Sequence, residues 1–304
     1  MKWRVAGLLG AMCALICGAQ TFAASKTPSV ADIVAAAGND EWRTLDPART
    51  LYLQLPGGRV IIELVPEFAP QHVTNILQLI RDHYFDGLAV IRAQDNFVVQ
   101  WGDPNDKKPL GAARTKLPPE YVASYTATSS FKRLPDRDGY APLAGFVDSL
   151  PTGRDPGNRT QWLAHCYGAV GVARGNDPES GSGSSLYVVI SQAPRQLDRN
   201  IAVVGHVWQG MDLLATLPRG GGAMGFYEKA EQYVPIVSLR RALDVPKAER
   251  TSLQVLRSDS RTFERLILAR RNRHDEWMTN RPGFVDLCNI PVPVRPLPAA
   301  AMVH

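Results

Sequence analysis

Few residues of this 304-residue chain are spaced for covalent chemistry. Its histidines, at 72, 83, 165, 206, 274 and 304, show no metal-ligand spacing with cysteines or carboxylates, so no metal is implied. Ser180–Ser185 lacks the pattern of a serine nucleophile elbow. Gly220–Gly225 satisfies G-x-G-x-x-G, but Pro218 precedes it and no clear helix follows, so it reads as a loop and not a dinucleotide cradle. What remains is Arg92, caught between two strand-like apolar pieces, Leu88–Arg92 and Phe97–Trp101, the second carrying Phe97, Val98 and Gln100. A guanidinium is always charged, planar and rich in donors, so a fixed one can stabilise charge that develops beside it. Alone, such a residue would be an arginine snorkelling from a strand.

The elements that must hold Arg92 are legible around it. In Pro70–Arg81 the apolar residues Val73, Ile76, Leu77 and Ile80 recur at helical spacing, with Pro70 in the first turn where a missing N–H is harmless. Tyr84-Phe85-Asp86-Gly87 reads as the turn that ends this helix. Upstream, Ser29 opens a short helix over Val30–Ala37, and Leu51, Leu53 and Leu55 alternate, break at Pro56-Gly57-Gly58, and give way to Val60, Ile62 and Leu64, a β-hairpin. Downstream come strands at Tyr167–Arg174 and Leu186–Ile190 about a Gly/Ser-rich loop, then Ile201–Trp208, a short helix from Gln209 to Leu217, and a strand at Tyr233–Leu239. Many short strands with few helices predict a mainly β, antiparallel barrel. Pro104–Gln161 is rich in Pro, Gly, Asp and Arg, and its centre, Phe131–Arg159, reads as surface loop. Thr262–Met278 reads as a charged helix and Pro291–Pro298 as a proline-rich end.

At 45% hydrophobic and 21% charged, the chain can bury a full core. Met1–Ala24 has basic Lys2 and Arg4, an apolar run over Val5–Ala19 and small residues at its end, the layout of a cleaved secretory leader, and the run is too short to span a bilayer. The expected address is periplasmic or secreted, with no membrane span after cleavage. Removing Lys2 and Arg4 lowers the formal charge from +5 to +3, and no basic run singles out nucleic acid as a partner. Two cysteines then remain, Cys166 and Cys288. In an oxidising compartment they either form a disulfide tying the C-terminal tail to the barrel or stay two unrelated buried thiols.

The pattern AP-x-x-V-x-N, YFDGL, R-x-x-x-x-F-V-V-Q-x-GDP over 69–104, followed in order by GAVGVA, GSGSSLYVVI and LDRNIAVVGHVWQGMD over 168–212, resembles the cyclophilin family of peptidyl-prolyl cis-trans isomerases, in its bacterial secreted branch. The resemblance implies a closed eight-stranded antiparallel barrel with a helix over each open end. It places a barrel domain at 48–245 with an insertion at about 104–161, between a leader (1–24) with a short helix and linker (25–47) and a partly helical C-terminal extension (246–304). Arg92 matches the family's catalytic arginine and Gln100 the glutamine that touches the substrate carbonyl or orders that arginine. Phe97, Val98, Tyr187 and Leu197 match the proline pocket, Val98 standing where Met is usual and Tyr187 where Phe is usual. Other substrate contacts depart from the pattern: Ile91 stands for a common His, Arg174 after Ala173 for Asn, Ser185 for Gln, Gln196 for Trp and Ile201 for His. The implied activity is rotation of X-Pro bonds in folding or exported polypeptides, without a cofactor and weakened or redirected by this altered rim, Arg174 favouring an acidic group near the proline. The alternative is a non-catalytic peptide-binding module or chaperone on the same scaffold.

Overall fold

The computed structural model describes residues 27–273 and 278–298. The leader and residues 274–277 of the expected Thr262–Met278 helix lie outside the described residues, and the helix itself is shorter than expected, ending at Arg271 with Asn272 as its C-cap. Within the first half, helix α1 (Val30–Ala35) is followed by strands β1 (Trp42–Thr44), β2 (Thr50–Leu55) and β3 (Gly58–Leu64), helix α2 (Pro70–Arg81), then β4 (Ala89–Ala93) and β5 (Val98–Gly102). An inserted stretch carries β6 (Ala123–Ser124), β7 (Lys132–Arg133), β8 (Leu143–Val147), β9 (Leu150–Asp155) and β10 (Thr160–Leu163). Next come β11 (Ala169–Val172), β12 (Leu186–Val189), β13 (Val203–Gln209), α3 (Met211–Ala215), β14 (Val234–Pro235) and β15 (Ser238–Arg241). β16 (Leu253–Leu256), α4 (Arg261–Arg271) and β17 (Val294–Pro296) complete the order.

The main body is one curled antiparallel sheet in the order β14-β4-β5-β12-β11-β13-β3-β2-β15. Its ladder has nine strands where eight were expected, because the final run is split. Val234–Pro235 pairs with β4 and Ser238–Arg241 with β2, while between them the Ile236 N–H donates to the Leu88 carbonyl and the Val237 N–H to that of Gln54. A proline at 235 supplies no ladder donor, so the pairing changes partner there. The concave face encloses Leu51, Leu53, Val60, Ile62, Val90 and Trp101, closed over by Val73, Ile76, Leu79 and Ile80 of α2 and by Leu214 of α3. Each α2 side chain so buried contributes about 1.5–3 kcal/mol. Leu77, expected on this stripe, is only partly buried, and Leu79 takes its place.

The strands β2, β3, β11 and β12 are buried on both faces over most of their length, since a second layer lies outside them. Tyr52, Ile61, Val98 and Val189 pack outward against Leu150, Leu163, Leu253 and Val255. This layer corrects the reading of Phe131–Arg159 as surface loop: the insertion forms a five-stranded antiparallel sheet ordered β6-β10-β9-β8-β7. Asp148 and Ser149 turn β8 into β9 with φ of 47° and 72°, the left-handed pair that such a two-residue hairpin requires. Gly153 lies beneath the Trp162 indole, which a Cβ would meet at 2.5 Å. The insertion also caps α2. Ala69 offers no side-chain cap, and Glu120 instead accepts from the N–H groups of Gln71 and His72 at 3.0 and 2.9 Å, a carboxylate at a helix N-terminus.

The N-terminal and C-terminal segments fold together, with β16 between β1 and β17 and α4 packed on α1. Ser260 caps α4 by accepting from the Phe263 N–H. Trp42, Phe146, Phe263, Leu266 and Leu287 form a further core, and the disulfide joining Cys166 to Cys288 lies in it. Arg43 of β1 forks onto Glu63 of β3 with both bonds at 2.7 Å, and Trp208 donates to the same carboxylate, so this layer is keyed to the sheet. Among the described residues no helix is long and apolar enough to cross a membrane.

His206 of β13 lies 4.5 Å from the Trp208 ring, and burial together with the Arg43 charge depresses its pKa from 6.5 to about 4. The unfolded chain therefore binds the extra proton first as pH falls from 6.5 to 4, and stability drops over that window. His206 as a whole residue is only half-buried, so the expected loss is about 1–2 kcal/mol. Denaturant melts at pH 7 and pH 4.5 should show His206→Gln losing that much less than wild type.

Candidate active site

Four residues stand in one row across neighbouring strands: Gly171 of β11 is opposite Tyr187 of β12, Tyr187 opposite Gln100 of β5, and Gln100 opposite Arg92 of β4. Directly opposed residues of antiparallel strands share a face, so this row faces one way. The β4–β5 register shifts between Val90 and Arg92, a bulge that aims the arginine out of the ladder.

Three partners hold the Arg92 head. Its Nε donates to the Met224 carbonyl at 2.6 Å, Nη1 to Gln100 Oε1 at 3.0 Å, and Nη2 to Gln94 Oε1. The guanidinium carbon lies 5.5 Å from the Phe97 ring centre and 5.2 Å from that of Phe226. Burial lowers its pKa from the ordinary arginine value. Gln100 is fixed at its other end by donating to Ser185 Oγ at 3.0 Å, and Ser185 donates to the Trp101 carbonyl at 3.2 Å.

Around this row lies a pocket of about 250 Å³. Arg92, Phe97, Val98, Gln100, Ala173, Arg174, Tyr187, Leu197 and Ile201 line it, which brings together the residues singled out from the sequence except Ile91, Ser185 and Gln196. Ser185 stands behind Gln100 instead of on the wall. Arg174 is held by the carbonyls of Asn200 and Gly175, and its guanidinium carbon is 5.6 Å from the Tyr121 ring centre. Two further lining residues, Met224 and Phe226, come from the glycine-rich loop that sequence reasoning set aside. Gly225 takes φ of 76° there, and a Cβ on it would meet the Gln94 backbone at 2.6 Å. The glycine cluster was the available signal: it lets the loop backbone approach Arg92.

The arrangement offers a fixed cation and an amide beside an apolar slot. No nucleophile lies among the lining residues, and no group of three His, Cys, Asp or Glu among the described residues could hold a metal.

Residues 50–241 match the family described as cyclophilin type peptidyl-prolyl cis-trans isomerase/CLD. The chain belongs to the cyclophilins. It is 30% identical over 181 residues to a probable peptidyl-prolyl cis-trans isomerase of Brucella suis, covering 59% of this chain and 76% of that one. It is 28% identical over 171 residues to a peptidyl-prolyl cis-trans isomerase-like 4 of Mycosarcoma maydis, covering 56% of this chain and 29% of that one. The crystal structure of cyclophilin AquaCyp293 from Hirschia baltica superposes with a TM-score of 0.68 at 24% identity, covering 84% of this chain and 93% of that one. That likeness is one of fold, and it extends over more of this cyclophilin than the family-matched residues. The family is one of isomerases, and proline-containing peptides fit it as substrates.

Proposed function

We propose that the pocket beside Arg92 rotates X-Pro bonds in folding or exported polypeptides. The barrier to rotation, about 18–20 kcal/mol, comes from amide resonance, so the protein need only stabilise a twisted, less conjugated imide. The proline ring seats against Phe97, Val98, Tyr187 and Leu197. Arg92 presents a fixed charge to the imide and favours its pyramidal nitrogen, while Gln100 holds the arginine or meets the substrate carbonyl. The observation that carries this reading is the tethering of Arg92: three of its five N–H groups hold the head in place and two are left for a substrate. Ala173, Arg174, Ser185 and Ile201 then shape the rim, Ser185 through Gln100. Residues 48–245 are the unit that carries the site, and counting the split run 234–241 as one strand makes it an eight-stranded barrel whose last strand joins both edges. The leader layout and the Cys166–Cys288 disulfide support export.

The test is cis-to-trans relaxation of short X-Pro peptides with the purified protein. Acceleration above the spontaneous rate is expected; its absence across a range of X residues would leave a peptide-binding module. No carboxylate lines the pocket, while Arg92 and Arg174 both do. Peptides with Asp or Glu beside the proline should therefore show roughly 3–10-fold lower KM than neutral ones at low salt, a preference that shrinks at high salt. Arg174→Gln should erase it.

A further inference from the structure

Tyr187 brings to the pocket floor a hydroxyl that a proline ring has no use for, and the structure shows where it goes. The ring lies across Gly171, where an added Cβ would sit 2.2 Å from the phenol carbon and oxygen. The hydroxyl meets His165 Nε2 at 2.9 Å, inside the protein. His165 is completely buried and is not among the lining residues. The pocket thus meets the aromatic body of Tyr187 while its polar tip is satisfied behind the floor.

His165 is held in turn. Asp198 Oδ1 accepts from the His165 backbone N–H and lies 2.9 Å from its ring Nδ1, and Asp198 Oδ2 accepts from Trp162 Nε1 and Arg195 Nε. The His165 hydrogen bonds and the Arg195 charge, against the opposing effect of burial, keep the Asp198 carboxyl below the usual range, so it is ionised and can only accept. Nδ1 of His165 then donates to it, and Nε2 on the other side of the ring pairs with the tyrosine hydroxyl. Arg195 also forks onto Asp138 at 3.0 and 3.2 Å. Asp138 and Trp162 belong to the inserted stretch and its sheet, and Asp198 directly follows Leu197 of the pocket wall.

We propose that His165 and Asp198 are positioning residues for the proline pocket: they lock Tyr187 as its floor and Leu197 as its wall, and through them the insertion is part of the substrate site. This rests on the reading of the pocket as the X-Pro site. Without His165 the phenol would keep a buried hydroxyl with no partner, which is unfavourable enough to drive the ring toward water, and the nearest water-accessible space is the pocket itself.

The test compares wild type, His165→Leu, Tyr187→Phe and the double variant on one X-Pro peptide. His165→Leu should raise KM about tenfold with kcat lowered no more than about threefold, since the floor seats the ring and Arg92 acts on the bond. Adding Tyr187→Phe should bring KM back to within about twofold of Tyr187→Phe alone, because hydroxyl and partner are then removed together. An unchanged KM in His165→Leu, or a double variant in which the two effects simply add, overturns the proposal. Should His165→Leu not fold, the His165 Nε2 resonance of the intact wild-type protein is followed during peptide titration: a shift that saturates with binding supports the coupling and an immobile resonance overturns it. Absence of turnover in wild type would count against catalysis alone, because peptide dissociation constants measured by fluorescence carry the same four-way comparison.

Discussion

Arg92→Ala should lower kcat/KM for X-Pro peptides by about 10²–10³-fold, the loss typical of removing one fixed donor from developing charge, while the protein melts within about 3 °C of wild type. The small stability effect follows from where its partners lie. Met224 and Gln100 border an open pocket and Gln94 is only half-buried, so water can replace the guanidinium. Gln100 keeps its anchor on Ser185. The loss should fall mainly on kcat, because the apolar slot that seats the ring is intact. Arg92→Lys should recover little, since an ammonium cannot reach Met224, Gln100 and Gln94 in one plane and would lose its orientation. Stopped-flow relaxation of the peptide, with circular dichroism to verify folding, reads both effects. Activity in Arg92→Ala above about one-tenth of wild type would remove the arginine from the mechanism.

The parts of this site that the sequence made legible are those encoded over short windows. Helix α2 occupies Pro70–Arg81 as its spacing predicts, and the Leu51–Leu64 hairpin follows from alternation on either side of Gly57-Gly58. The row joining Arg92 to Tyr187 rests on strand register, and it came within reach only through the motif resemblance, because any one of its apolar neighbours reads alone as core. The inserted sheet escaped for physical reasons. Its tightest hairpin turns on Asp148 and Ser149, residues that seldom take two consecutive left-handed conformations, and Gly145 and Gly153 interrupt the alternation where aromatic rings or neighbouring backbone press close. Long-range caps are equally silent: nothing near Gln71 announces that Glu120 will accept from its N–H. Ser185 was expected on the rim and stands behind Gln100, whose side chain donates to it, a distinction of one hydrogen bond that spacing does not encode. The disulfide stood open between two readings since 122 residues separate its cysteines, and only the meeting of the insertion with the C-terminal layer brings them together.

Asp198→Ala should be the most destabilising single truncation around the pocket, by about 3–5 kcal/mol, which for a chain of this size lowers the melting temperature by roughly 10 °C. All four acceptor positions of the carboxylate are in use, and the donors they satisfy are buried: the His165 backbone and ring, Trp162 and Arg195. Removing the carboxylate leaves the Arg195 side chain, 4% exposed, with Asp138 as its remaining anion, and strands two ring donors and one backbone N–H. Asp198→Asn should recover only part of the loss, because its amide turns two donors toward a site built of donors. The sign of the pH dependence separates this from simple cavity formation. The folded-state pKa of Asp198 is depressed, since the His165 hydrogen bonds and the Arg195 charge outweigh burial. Its contribution is therefore fully present above the unfolded aspartate value and is lost as pH falls through the lower folded value. Wild type and Asp198→Ala should differ by a constant amount from pH 7 to about pH 5 and converge only in stronger acid. Urea melts at pH 7, 5 and 3 would show this, and a gap that closes instead between pH 7 and pH 5 would assign the controlling titration to another group.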